Sequence, residues 1–245
     1  MSATGDMNEV LARYVVACPD GVNRVRYRAW QSEPRDRTIL NDYVRLLQEQ
    51  LPSLLPKSER MVFWINLYNA VTLQVVLENY PIKSIREIRS HTLDPRGLIG
   101  PWFERRVTVE GHKLSLYEIE NAILRKEFGE PRIHYAINCA SDGCPNLRPA
   151  VWSGDDLEHD LEAAAQEFVG SRRGAWLDAA GRPHLSRIFK WYGRDFKAEG
   201  GVAAHLARLA SPATRSKLAA PDPSLRHAYD WSLNDAEPQP AEATA

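Results

Sequence analysis

Cysteine is scarce in this chain: Cys18, Cys139 and Cys144 are the only three among 245 residues. So few thiols, and an odd number of them, cannot build the disulfide framework of a small secreted domain, so stability must come from apolar burial. Also missing is any run near the ~20 consecutive apolar residues that a bilayer-crossing helix requires. The longest apolar stretch, residues 61–77, is interrupted by Asn66, Asn69, Thr72 and Gln74. Neither charge sign dominates, with 31 Lys and Arg against 32 Asp and Glu. That balance gives no general attraction to nucleic acid or to an anionic membrane. The first seven residues are polar and hold no apolar core of a secretory signal, so the expected location is cytoplasmic. Signatures for a phosphate loop, H-E-x-x-H, G-x-S-x-G and a calcium loop are all missing. No cofactor is expected, and no metal either, because the two close thiols have no second ligand pair at zinc spacing.

What is present reads as one α+β domain, a helix-rich N-terminal half packed on a small, mostly antiparallel sheet. Residues 1–7 and the Pro-, Ala- and Glu-rich tail 235–245 read as disordered ends of a single domain over 8–234. Helical spacing marks residues 9–17, 38–50 and 59–79, the last with Ser58 as its N-cap and Pro81 as its stop. Residues 91–102 are loop-rich. Residues 106–109 and 112–114 flank Glu110-Gly111 as a tight hairpin. Ser115 and Glu118 then form a capping box for a helix over 116–127. A second strand-to-helix junction follows at Leu185-Ser186, its helix running to Trp191. Residues 132–139 alternate as a central strand would, and 155–169 form a helix capped by Ser153 with Leu157, Leu161, Ala164, Ala165 and Phe168 inward. A helix over 202–210 and a strand over 227–231 close the domain.

The segment with chemical potential is Ile133-His-Tyr-Ala-Ile-Asn-Cys-Ala-Ser-Asp-Gly-Cys-Pro145. A thiol at a strand end, beside backbone amides, is a nucleophile once a histidine or cation lowers its pKa. Cys139 and His134 are therefore the catalytic candidates. An unbroken strand, at ~3.3 Å per residue, would hold them roughly 16 Å apart on opposite faces. Another histidine brought in by the fold, His91, His112 or His184, would then have to serve Cys139. Cys139 and Cys144 could instead form a redox pair, and a thiol that merely packs in the core is the plainest reading. Asn66 and Asn69 lie three apart on one face of an otherwise apolar helix. Buried amides must find partners, so they either pin backbone or line a site.

Five strings carry a resemblance: Phe63-Trp-Ile-Asn-Leu-Tyr-Asn-Ala70, Leu116-Tyr-Glu-Ile-Glu120, Arg132-Ile-His-Tyr-Ala-Ile-Asn-Cys-Ala-Ser141, Leu185-Ser-Arg-Ile-Phe-Lys-Trp-Tyr192 and Tyr229-Asp-Trp-Ser-Leu-Asn234. In the same order they resemble motifs of the domain-of-unknown-function 547 family, across residues 35–234. The resemblance implies no assigned activity. It implies a set of polar motif positions: Asn66, Asn69, His134, Asn138, Cys139, Ser141, Trp191 and Asp195. The leading expectation is a non-catalytic module that binds a peptide or small molecule, with Asn66, Asn69, Asn138, Ser141, Trp191 and Asp195 as binding residues. The alternatives are a papain-like or transglutaminase-like amide or thioester enzyme using Cys139, and a thiol redox protein using Cys139 and Cys144.

Overall fold

Between Pro56 and Pro81 nothing in the sequence breaks a helix, and there the computed structural model, which describes residues 3–89, 101–218 and 225–237, has its longest element, α4 (Lys57–Asn79). From Met61 to Leu77 every residue except Gln74 is buried. By length and composition this helix could cross a bilayer, yet it is enclosed by the rest of the chain. It starts before Ser58, which does not cap it. The chain leaves Pro56 extended and turns at once, with the Pro56 carbonyl taking the Arg60 N–H.

The N-terminal elements wrap one side of α4. Helix α1 (Ala3–Tyr14) runs into a short hairpin of β1 (Val15–Ala17) and β2 (Asn23–Val25), followed by α2 (Tyr27–Gln31) and α3 (Pro34–Gln48). The expectation of disorder over 1–7 is corrected for residues 3–7, which are helical; residues 1 and 2 lie outside the described residues. Met7, Val10, Leu11 and Tyr14 form a buried helical stripe, and Met7 is as deep as any core residue. Tyr14 stacks on Trp30 at 4.9 Å and donates its hydroxyl to the buried Asp36. Residues 235–237 likewise belong to the fold, since Ala236 N–H bonds the Val25 carbonyl and Tyr80 donates to Asp235. The rest of the expected tail, 238–245, and residues 91–100 of the expected loop, with His91, lie outside the described residues.

Next come β3 (Arg105–Val109) and β4 (His112–Ser115), paired antiparallel about Glu110-Gly111. Both turn residues have positive φ, the backbone of a tight hairpin turn in which Gly111 carries no steric cost. Ser115 and Glu118 form the expected capping box. The helix they open is continuous but wound unevenly: α5 (Leu116–Glu118), a π-helical stretch Ile119–Leu124, then α6 (Arg125–Phe128).

The largest correction concerns residues 132–139, which form no strand. Pro131, set at the first helical position, and the Glu130 carboxylate, which accepts the Arg132 N–H, start a 3-10 turn over Pro131–Tyr135. The Ile133 carbonyl then takes the N–H groups of Ala136 and Ile137.

Beyond it, α7 (Leu157–Gly170) links two apolar clusters. Leu157 and Leu161 pack with the α4 cluster; Ala165, Phe168 and Val169 pack with Tyr135, Leu185, Phe189, Phe196 and Leu206. The α7 start is set by Asp156 without a side-chain cap, so Ser153 does not cap it. The second cluster is covered by a mixed sheet in which β6 (Pro183–Ser186) pairs antiparallel with β5 (Ala175–Leu177) and parallel with β7 (Arg226–Ala228). Around it lie α8 (Arg187–Trp191), capped by Ser186 as expected, α9 (Gly201–Leu209) and α10 (Pro212–Leu218). The class is α+β. The strands lie in three small sheets rather than one, and the last strand stops at Ala228, leaving Tyr229–Trp231 free to meet another segment.

Two glycines bracket the junction after α7. A Cβ on Gly174 would sit 2.1 Å from the Phe168 carbonyl oxygen and 2.6 Å from Val169 Cα, both backbone. A Cβ on Gly170 would meet nothing within 4 Å. Gly174→Ala should therefore lower stability by about 1–3 kcal/mol, as overpacking does. Gly170→Ala, at the end of a helix, should be neutral or stabilise by up to ~1 kcal/mol. Urea unfolding midpoints of the two variants check the contrast.

Candidate functional site

Without a strand ladder, the buried backbone of residues 136–146 needs other partners. Asn69 and Asn138 supply them, and Asn66 extends the pattern to Trp152. Asn69 donates to the Ala136 carbonyl at 2.9 Å and accepts the Asn138 N–H at 2.8 Å. Asn138 donates to the Pro145 carbonyl and accepts the Ala140 N–H, both at 2.7 Å. Asn66 does the same for Trp152, through its carbonyl and its N–H. All three amides are spent on backbone: Asn69 and Asn138 hold the cysteine loop, Asn66 holds Trp152, and none of them lines the cavity that the sulfurs face. On the other side the loop meets the C-terminal segment. Asp142 N–H bonds the Ser232 carbonyl, Gly143 N–H bonds the Asp230 carbonyl, and Asn234 N–H bonds the Ala140 carbonyl. Ala140 is held at φ 61°, a left-handed backbone that a non-glycine residue adopts only when its surroundings dictate it.

This clamping gathers two thiols and two hydroxyls. Cys139 Sγ lies 2.8 Å from Cys144 Sγ, 3.2 Å from Tyr229 Oη and 3.4 Å from Ser141 Oγ. Tyr229 Oη is 3.0 Å from Cys144 Sγ and 2.9 Å from Ser141 Oγ. The symmetry between the sulfurs is broken by the backbone, because Cys139 N–H donates to Cys144 Sγ at 3.1 Å. Burial raises the Cys144 thiol, but donation from Cys139, Ser141, Tyr229 and that N–H outweighs it and brings the group down to about 6. The Cys139 thiol goes the other way. It is held protonated by donating to Cys144, and burial adds to the shift.

Both sulfurs face a cavity of about 370 Å³. Its walls are Tyr68, Trp102, Phe103, Tyr117, Ile137, Ile188, Trp191, Tyr192, Tyr229 and Trp231, with Glu120, Asn121 and His134 among them. Trp191 and Tyr117 stand 42% and 45% exposed, large aromatics left open where the cavity meets solvent. Glu120 and Asn121 sit on the π-helical stretch, whose extra residue per turn re-aims side chains and recurs at functional sites. Tyr68 donates to Glu120 at 3.4 Å.

His134 lies in the same wall but does not bond Cys139. Its Nε2 is 2.8 Å from Asp195 Oδ2, and its ring stacks on Tyr192 at 4.1 Å. Asp195 is also gripped by Arg125 at 2.6 and 2.8 Å. Burial raises the Asp195 carboxyl, but the bonds from His134 and Arg125 hold it well below the usual carboxylate range. His184 is paired with Asp178, and His112 is exposed on β4. Among the described residues no histidine hydrogen-bonds either sulfur, and an amide or thioester hydrolase built on Cys139 would need one. Of the expected site residues, the structure thus gathers Cys139, His134 and Trp191 at the cavity and Ser141 just behind it. Asp195 supports His134 from outside. Glu120, Tyr192 and Tyr229 were not singled out from sequence. Of these only Glu120 had a cue, being a lone carboxylate among Ile119, Ile123 and Leu124.

Residues 52–169 match the family model described as protein of unknown function, DUF547. Over this segment the chain is similar to the DUF547 family. No curated protein and no solved structure matches the chain. The DUF547 segment holds both cavity cysteines, Glu120, His134 and the three asparagines, whereas Trp191, Asp195, Tyr229 and Trp231 come from beyond it.

Two predictions follow from this geometry. Asn69→Ala strands a carbonyl and an N–H in the interior, so it should lose about 2–4 kcal/mol in urea unfolding. Asp195 has a folded-state pKa below its unfolded value of ~3.9. Its contribution is therefore complete above about pH 5 and fades as the pH falls toward 2. Asp195→Asn should destabilise at pH 7 by about 2 kcal/mol and flatten the acid limb of the stability–pH curve. A wild-type acid limb retained in the variant would show that Asp195 does not carry it.

Proposed function

We propose that this protein binds a small molecule with a flat apolar body and a cationic or donor group. The observation that carries the reading is the aromatic cavity itself. Ligand sites are concave, mostly apolar and lined by a few directed polar groups. Its ~370 Å³ would hold about a dozen waters at ~30 Å³ each, room for a small molecule or a side chain but not for a folded partner. Trp191, Tyr229 and Trp231 contact one another at centroid separations of 4.7–5.7 Å, forming a face on which a ring can stack. Glu120 supplies the polar end. It is buried, and one oxygen accepts from Tyr68, leaving acceptor capacity toward the cavity. Aromatic faces and a carboxylate together favour a cation.

Calorimetric titration with indole, tryptamine and indole-3-acetate tests this, because the three share one ring and differ in charge. The expected order is tryptamine tightest and indole-3-acetate weakest. Glu120→Gln should remove about tenfold of the tryptamine preference, the worth of one hydrogen bond to a charged group. Trp231→Ala should weaken all three. No saturable heat with any of them, or an order unchanged by Glu120→Gln, would overturn the reading.

A further inference from the structure

Ligand binding leaves one feature of the cavity unused, the pair of thiols in its wall. Their difference is twofold. Cys144 is 3% exposed and receives a backbone N–H and the Tyr229 hydroxyl, so the pair's negative charge rests there. Cys139 is the more accessible residue of the two, half-buried where Cys144 is buried, and carries the proton. In an exchange reaction these are complementary roles, because an accessible sulfur is attacked and a stabilised thiolate leaves.

We propose that Cys139 and Cys144 perform thiol–disulfide exchange with a small disulfide admitted to the cavity, cycling between a dithiol and an internal Cys139–Cys144 disulfide. In the oxidising direction Cys139 passes its proton to Cys144, 2.8 Å away, and attacks one sulfur of the incoming disulfide R–S–S–R. That bond breaks, RS⁻ leaves, and Cys139–S–S–R forms. Cys144 returns its proton to RS⁻ to give RSH and attacks Cys139 Sγ, expelling the second RS⁻. Two electrons have moved from the protein to the small disulfide, and one S–S bond has been exchanged for another. In reverse, a small thiolate attacks Cys139, and Cys144 departs as the thiolate that the Cys139 N–H and Tyr229 stabilise. The loop is built for both states. Its Ser141–Cys144 turn is closed by the Cys144 N–H to the Ser141 carbonyl at 3.0 Å, and Asn69 and the C-terminal segment anchor it without using either sulfur. The exchange does not rest on the amine-binding reading.

The test uses full-length protein with Cys18→Ser, removing the third thiol, and 4,4′-dithiodipyridine as the disulfide. Native protein should release two thiopyridones per chain, faster than the same chain in urea. Its mass should fall by two hydrogens, with the Cys139 and Cys144 peptides linked. Cys144→Ser should stop at one release and carry a thiopyridyl adduct on Cys139. Tyr229→Phe, which keeps the ring and removes one donor, should slow several-fold the reduction of the internal disulfide by a small thiol, the step in which Cys144 leaves as the thiolate. Reaction only after unfolding, a lasting adduct in the protein that retains both cysteines, or a rate of disulfide reduction unaffected by Tyr229→Phe would each overturn the assignment. A retained circular dichroism spectrum and indole titration separate these outcomes from misfolding and from failure of the binding site.

Discussion

The fold turns on the need to bury a loop that has no ladder. Residues 136–146 lie between α4 and the C-terminal segment, and each unpaired polar group there would cost about 1–3 kcal/mol. Asn69 meets this by presenting both ends of its amide to the loop, a donor to Ala136 and an acceptor to Asn138, as a neighbouring strand would. Asn66, one turn earlier on the same face, does the same for Trp152. The apolar surface of α4 could pack in several rotations and shifts. The two amides accept one, because a slide by a single residue would break all four bonds together. Apolar burial supplies the driving force, and the amides supply the register.

Fixing that register also brings distant parts of the chain together. The loop is held from below by α4 and from above by residues 229–235, which are themselves tied to the N-terminal half. Tyr27 donates to Asn234, Tyr80 donates to Asp235, and Leu233 N–H bonds the Lys83 carbonyl. Gly143 packs so closely under Asp230 that a Cβ would lie 2.7 Å from its backbone. Tyr229 reaches both sulfurs through this clamp. The thiol cluster is therefore a product of the whole fold, although the DUF547 match covers only residues 52–169.

Local features were legible in the sequence because local chemistry decides them. The Glu110-Gly111 turn, the Ser115–Glu118 box, the Ser186 cap and the apolar helix before Pro81 all follow from their own residues. The cysteine segment was misread for an identifiable reason. Ile133, Tyr135 and Ile137 alternate with more polar neighbours and imitate a strand. In the structure Ile133 and Ile137 pack in the α4 cluster while Tyr135 points into the second one, beside Phe168 and His205. Two cores on opposite sides of one 3-10 turn and its exit give the same period as a pleated strand. The partners of Asn66 and Asn69, Tyr229 at the sulfurs and the Tyr68 bond to Glu120 depend on contacts across 50 to 90 residues of sequence, which no spacing rule reaches.

The same long-range placement decides the charge of the cavity. Arg125 lies near its wall over the Tyr192 ring, but its Nε and Nη2 are committed to Asp195 and its Nη1 to Asn121. His134, the histidine in the wall, is turned to the same carboxylate. The Arg125 charge is thus neutralised by a residue outside the cavity, and the groups left facing inward with negative character are Glu120 and the Cys144 sulfur. The aromatic lining is less polarisable than water and so strengthens both fields relative to open solvent. An anionic molecule would enter against this potential, and a neutral or cationic one would enter with it. Asp195, which touches neither sulfur, therefore helps to set which molecules can reach them.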